Sequence, residues 1–156
     1  MSILTLEFFL NGRSERVDVA SNLTVLDLLR EYFQLTGAKR SCDVQVCGSC
    51  TVLVEGRAIS ACTTLAADLH GKQVTTIEGI SGRDGGLHPL QQAFVESGAV
   101  QCGFCTPGFI LAAHEAMERG ITDREALVEA LSGNICRCTG YRKIMDAVLT
   151  TINANT

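Results

Sequence analysis

The sequence predicts an α+β fold in two parts, on three observations. Alternating and β-branched segments separated by turn dipeptides fill the first half, four glycines fall within eight residues at 79–86, and only capped helical patterns follow them. Residues 3–10 read as a strand and 13–19 as another, with Asn11-Gly12 between them, a dipeptide that tolerates the positive φ angles of a two-residue hairpin. From Thr24 the apolar residues Val25, Leu26, Leu28, Leu29, Tyr32 and Phe33 take helical spacing. Thr24 is the expected N-cap and Asp27 lies in the first turn, so a helix of about ten residues is predicted. Residues 51–54, 57–60 and 73–77 supply three short strands, with Glu55-Gly56 as a turn. Hairpin, helix and further strands make a small mixed sheet on one helix, the β-grasp pattern, over residues 1–78.

Residues 79–87 read as a linker and 88–156 as four helices. Pro89 suits a first helical position, and Thr106-Pro107 an N-cap and first position for a helix ending near Gly120. Thr122 with Glu125 forms an expected capping box, and the last helix spans 141–152. Phe94, Phe109 and Met117 are expected core residues.

Composition narrows the chemistry. With 46% hydrophobic and 19% charged residues the chain is globular in type, but aromatics are 5% with no Trp, a thin supply for two small cores. A net charge of -4 and the lack of a basic run longer than Lys39-Arg40 exclude nucleic acid as the expected partner. No stretch has the length of a membrane span, and residues 1–10 lack a secretory pattern, so a cytoplasmic location is expected. In that compartment eight cysteines point to metal ligation before disulfides.

The first four cysteines are spaced Cys42-x4-Cys47-x2-Cys50-x11-Cys62. Three ligands on one loop and a fourth from a separate segment is the plant-type 2Fe-2S arrangement, because a flat cluster needs thiolates converging from around it. A zinc site and a dithiol at Cys47-Gly48-Ser49-Cys50 are the alternatives; zinc favours paired knuckles, and a redox pair needs neither Cys42 nor Cys62. The second set is Cys102-x2-Cys105, then Cys136-x-Cys138. Its spacing also describes a structural zinc site, and both readings stand on spacing alone. Cys105 and Cys138 precede helix starts, which would favour anionic sulfur. Cys136 and Cys138 would face one cluster if Arg137 points away.

The segments Gln101-Cys-Gly-Phe-Cys-Thr-Pro-Gly108 and Asn134-Ile-Cys-Arg-Cys-Thr-Gly-Tyr141, with Cys-Gly-Ser-Cys-Thr-Val52, resemble the iron–sulfur subunit of the molybdenum hydroxylases, the xanthine dehydrogenase family that includes aldehyde oxidases and carbon monoxide dehydrogenases. The resemblance spans essentially the whole chain. It implies a plant-type ferredoxin domain holding a 2Fe-2S cluster on Cys42, Cys47, Cys50 and Cys62. A four-helix domain would hold a second on Cys102, Cys105, Cys136 and Cys138. It further implies electron transfer from a molybdopterin in a large subunit, through the helical-domain cluster and then the plant-type cluster, to FAD in a medium subunit. Gln101 would hydrogen-bond the pterin and Cys138 would be the ligand nearest it. The pterin would be the cytosine dinucleotide form and the assembly a dimer of heterotrimers. A free-standing ferredoxin-like carrier is the alternative. One departure stands out: where the family often has Gly in the first loop, this chain has Ser41 and Gln45. Gln45 implies a different loop conformation or a tolerated strained one, with a shifted cluster potential and no ligand lost.

His70, His88 and His114 are separated in sequence and are expected at the surface or at helix caps. No paired carboxylates or nucleophile suggest bond chemistry on an organic substrate in this chain.

Overall fold

A computed structural model describes residues 2–81 and 85–154. Residues 82–84 of the expected linker lie outside the described residues. β1 (Ile3–Leu10) and β2 (Arg13–Ala20) form the opening hairpin, paired from Ile3↔Ala20 to Leu10↔Arg13. Asn11 and Gly12 take φ of 51° and 80°, the left-handed pair that this turn requires. Alternation turns Leu6, Phe8 and Leu10 of β1 inward. β3 (Thr51–Val54) and β4 (Arg57–Ser60) form a second hairpin, and β5 (Gln73–Thr75) joins the two. The sheet order is β2-β1-β5-β3-β4, with β1 and β5 parallel and the other pairs antiparallel. The segment expected as strand to residue 77 leaves the ladder at Thr75 and enters a 3-10 turn at Ile77–Gly79.

The helix over the sheet begins as the sequence predicts: Thr24 Oγ1 accepts the Asp27 N–H at 3.1 Å. Only Val25–Asp27, α1, is α-helical; Leu28–Tyr32 continue as a wider π-turn. Val25, Leu26, Leu28 and Leu29 are all fully buried, which a regular continuation of so dense an apolar run does not guarantee.

The second half consists of α2 (Pro89–Glu96), α3 (Thr106–Glu118), α4 (Arg124–Leu131) and α5 (Arg142–Ala154). α2 packs on α5 and α3 on α4. His88 caps α2, its Nδ1 accepting the Leu90 N–H at 3.2 Å while the Gln91 side chain accepts the His88 N–H. The cap of α4 is Asp123, which accepts the Ala126 N–H at 3.0 Å, one residue beyond the expected Thr122. Cys105 occupies the cap position of α3 that Thr106 was expected to fill.

Two apolar cores result. One gathers Leu6, Phe8, Leu26, Leu29, Val52 and Leu69 under the sheet; the other gathers Leu90, Phe94, Phe109, Leu127, Ile144 and Val148 among the helices. α3 lies against β3 and β4, so the halves share a seam. Across it the half-buried Glu115 carboxylate accepts the Ala58 N–H at 3.1 Å and pairs with Arg57 at 2.9 Å. Among the described residues no helix is long and apolar enough to cross a membrane.

Candidate metal centres

The β3–β4 hairpin explains how Cys50 and Cys62 meet. Its register pairs Thr51 with Ser60, so the residue before β3 and the residues just after β4 leave from the same end. Cys50 and Cys62 are both buried there. Cys42 and Cys47 lie further out on the loop that precedes β3. The loop is fastened at its root, where the Arg30 guanidinium donates to the Ala38 carbonyl at 2.9 Å and the Lys39 N–H to the Ser49 carbonyl at 2.9 Å. Arg40 pairs with Asp43 at 2.9 Å and with Asp27 at the foot of α1.

Left-handed backbone shapes this loop, at Asp43 (φ 54°), Gln45 (φ 59°) and Gly48 (φ 68°). Gln45 therefore occupies a conformation that glycine adopts at little steric cost, the strained alternative raised by the sequence. Its side chain accepts the Thr63 hydroxyl at 3.2 Å and so ties the loop to the residue after Cys62. The coiled loop aims amides at sulfur: the N–H groups of Val44, Val46 and Cys47, then the Cys47 thiol, hold the Cys42 thiol down to about 6. Burial first, then the neighbouring Cys62 thiol, pushes Cys50 up to about 12 against an opposing Cys62 N–H.

The second site is assembled from two segments. Cys102 and Cys105 approach on a turn through Gly103 (φ 79°) into α3; Cys136 and Cys138 lie on the loop that enters α5. The Cys102 and Cys138 sulfurs are 3.6 Å apart and exposed. Cys105 and Cys136 are buried neighbours. At Cys136 burial opposes ionisation, but the Thr139 hydroxyl at 3.1 Å and the Thr139 and Cys138 amides outweigh it and bring the thiol down. Helix starts were expected to favour anionic sulfur at Cys105 and Cys138, and in the free thiols they do not prevail. Burial, then Cys136, pushes Cys105 up to about 12, and the close Cys102 thiol raises Cys138. Bound metal would have to drive those ionisations.

All four of these cysteines border one cavity of about 340 Å³, shared with Cys47 of the first set, Phe104 and Arg137. The donors suit 2Fe-2S clusters: thiols only, in four close pairs, with amide and hydroxyl donors aimed at sulfur. Sequence reasoning missed three supporting groups. Tyr141 accepts the Cys136 N–H on its hydroxyl at 3.1 Å, Thr139 donates to the Cys136 sulfur, and Asn134 is buried at the seam. All three lie within or beside the second motif, which is the one signal that marked them. Gln101 donates its side-chain amide to the Cys138 carbonyl at 3.1 Å, which fixes it beside that cysteine.

Comparison with known proteins defines the class first. Residues 13–96 match the 2Fe-2S iron-sulfur cluster binding domain and residues 76–149 the [2Fe-2S] binding domain. The chain is 49% identical over 140 residues to the nicotine 6-hydroxylase small subunit of Paenarthrobacter nicotinovorans, covering 89% of this chain and 84% of that one. It is 45% identical to the nicotinate dehydrogenase small FeS subunit of Eubacterium barkeri, covering 95% and 94%. Its fold superposes on a chain of quinoline 2-oxidoreductase from Pseudomonas putida 86 with a TM-score of 0.90 at 37% identity, covering 97% and 95%. The chain belongs to the family of small iron–sulfur subunits of the molybdenum hydroxylases, oxidoreductase components that bind 2Fe-2S clusters and transfer electrons.

Proposed function

We propose that residues 1–78 form a β-grasp, plant-type ferredoxin domain and residues 88–156 a four-helix domain, joined by 79–87, each holding one 2Fe-2S cluster. The mixed sheet order and the two separate apolar cores support this division. The observation that carries the site assignment is the pairing of thiols. Cys42 with Cys47 and Cys50 with Cys62 serve the two irons of the first cluster; Cys102 with Cys138 and Cys105 with Cys136 serve the second. When bound, each cluster accepts a single electron, and the amides aimed at Cys42 and Cys136 stabilise the added charge.

Exposure supports an order for the relay. Cys102 and Cys138, with Gln101 fixed beside them, form the outer end of the helical site, next to exposed Val100 and Phe104. This end faces a large molybdopterin subunit, with Gln101 and Cys138 at the pterin in its cytosine dinucleotide form. Half-buried Cys42, flanked by exposed Val44 and Val46, serves the other end and faces a medium FAD subunit. Two such heterotrimers pair in the cytoplasmic enzyme. Oxidation of the organic substrate then belongs to the large subunit, and this chain carries its electrons away one at a time.

Iron counting tests the assignment: about four irons per chain and two distinguishable EPR signals on reduction are expected, and a single signal refutes it. Gln101→Ala tests the outer end. It should slow electron exit from molybdenum in the complex with both clusters still loaded, and unchanged kinetics would remove Gln101 from the pterin contact.

A further inference from the structure

The seam between the halves contains a polar lock whose place suggests more than structural support. Asn134 is buried to 7% exposure although its neighbours Gly133 and Ile135 are exposed. Its Nδ2 donates to the Gly48 carbonyl at 3.0 Å, and the next residue, Ile135, donates its N–H to the Cys47 carbonyl at 2.9 Å. Two consecutive donors thus grip two consecutive acceptors. Cys47 itself belongs to one cysteine set, and Cys136, directly after Ile135, to the other.

The Ile135–Cys47 hydrogen bond is therefore a direct bonded bridge between the sets: Cys136 backbone, Ile135 N–H, Cys47 carbonyl, Cys47 side chain. Cys47 and the four cysteines of the second set also border one cavity, and the Asn134–Gly48 bond makes a second crossing one residue away on each segment. The grip is set tightly. A Cβ on Gly48 would stand 2.5 Å from the Asn134 amide nitrogen and 2.6 Å from the Gly133 carbonyl, and a Cβ on Gly108 of α3 would collide with the Gly48 carbonyl. That carbonyl also accepts the Thr51 hydroxyl at 2.7 Å, so β3 holds it in place from the other side.

Resting on the two-cluster reading above, we infer that Asn134 is a positioning residue for electron transfer between the clusters, holding the Ile135–Cys47 bridge at bonding distance through its bond to Gly48. The step it serves moves one electron: the helical-half cluster is oxidised, the first-half cluster is reduced, and no proton or covalent bond changes. A buried amide suits the task because it anchors the seam without adding charge beside either cluster.

The test uses the subunit purified with its partners, as wild type, Asn134→Asp and Asn134→Ala. Asp keeps the size but presents oxygen where the amide donated. Dithionite is the reductant, and two readouts are taken: spin–spin splitting between the reduced centres, and the rate at which a single introduced electron redistributes between them. In both variants the splitting should shrink and redistribution should slow about tenfold, while iron content stays at wild type, since small displacements between reacting groups carry effects of this order. Loaded variants with wild-type splitting and rate overturn the proposal. If the Asn134 variants lose iron, Gly108→Ala decides, because it pushes on the same carbonyl from α3 with Asn134 intact: slowed redistribution supports the role and a wild-type rate overturns it. Iron loss in all three variants also overturns it, by making the seam a folding element instead. Wild type with a single EPR signal would refute the two-cluster reading separately.

Discussion

The two cysteine sites use equal numbers of thiols and opposite constructions. In the first half three cysteines share one loop, so local backbone conformation builds the site: left-handed residues at Asp43, Gln45 and Gly48, anchors from Arg30, Lys39 and Arg40, and a hairpin end that supplies Cys50 and Cys62. In the second half two cysteines come from each of two segments about thirty residues apart, so the packing of α3 and α5 builds it. A site on one loop is specified by spacing and turn chemistry. A site between segments is specified by how those segments pack, here buried Phe109 of α3 against the exposed Tyr141 at the entry to α5, with ring centroids 6.2 Å apart.

Removing a ligand from each side should widen that contrast most. Cys50→Ser and Cys136→Ser should each lower iron from about four to about two per chain and abolish one EPR signal. The fall in thermal midpoint should be larger for Cys136→Ser, because a cluster held there would join distant segments while Cys50 and Cys62 sit at the end of an already bonded hairpin. Equal falls would break the comparison. Tyr141→Phe comes next. It leaves the Cys136 N–H without its phenol acceptor and should cost about 1 kcal/mol in thermal unfolding, altering the EPR signal of the second site alone.

Gln45→Gly probes the opposite construction. Relief of the left-handed strain is offset by greater freedom of the unfolded chain, so stability should change by less than about 1 kcal/mol. The first-site signal and potential should shift while the second stays fixed; a shift in both would show that the loops are coupled.

The smallest effect concerns His88. Burial first, then the His114 ring 5.2 Å away, holds its imidazole below the usual range, while Glu118 acts in the other direction. The neutral ring is also the form that can accept the Leu90 N–H. The folded state therefore resists protonation: its stability is full above the ordinary imidazole value of about 6.5 and falls as the pH drops below it. Replacing His88 with Asn keeps a capping acceptor without titration and should flatten the acid limb of a thermal-midpoint profile.

Much of the fold was legible in the residues. The limits of β1, β3 and β4 follow from alternation and turn dipeptides, and Thr24 caps as its position suggests. The π-turn at Leu28–Tyr32 was not legible, because a pattern of about two turns does not separate a wide helical turn from a regular one. Thr122 and Asp123 are both good caps, and only the path of the chain into α4 selects Asp123. His88 could be placed at a cap in general terms, whereas its ring contact with His114 depends on α2 meeting α3.

By itself the sequence determined the eight cysteines, their spacing in two groups of four and the family, because spacing and flanking motif are properties of the covalent chain. Only the tertiary structure decided which thiols lie side by side, that Cys102 and Cys138 are exposed, and that Asn134 and Ile135 clasp Gly48 and Cys47 across the seam. The seam bonds join residues more than eighty positions apart. They exist because burial of two cores drives α3 against the sheet, and no local pattern encodes that approach.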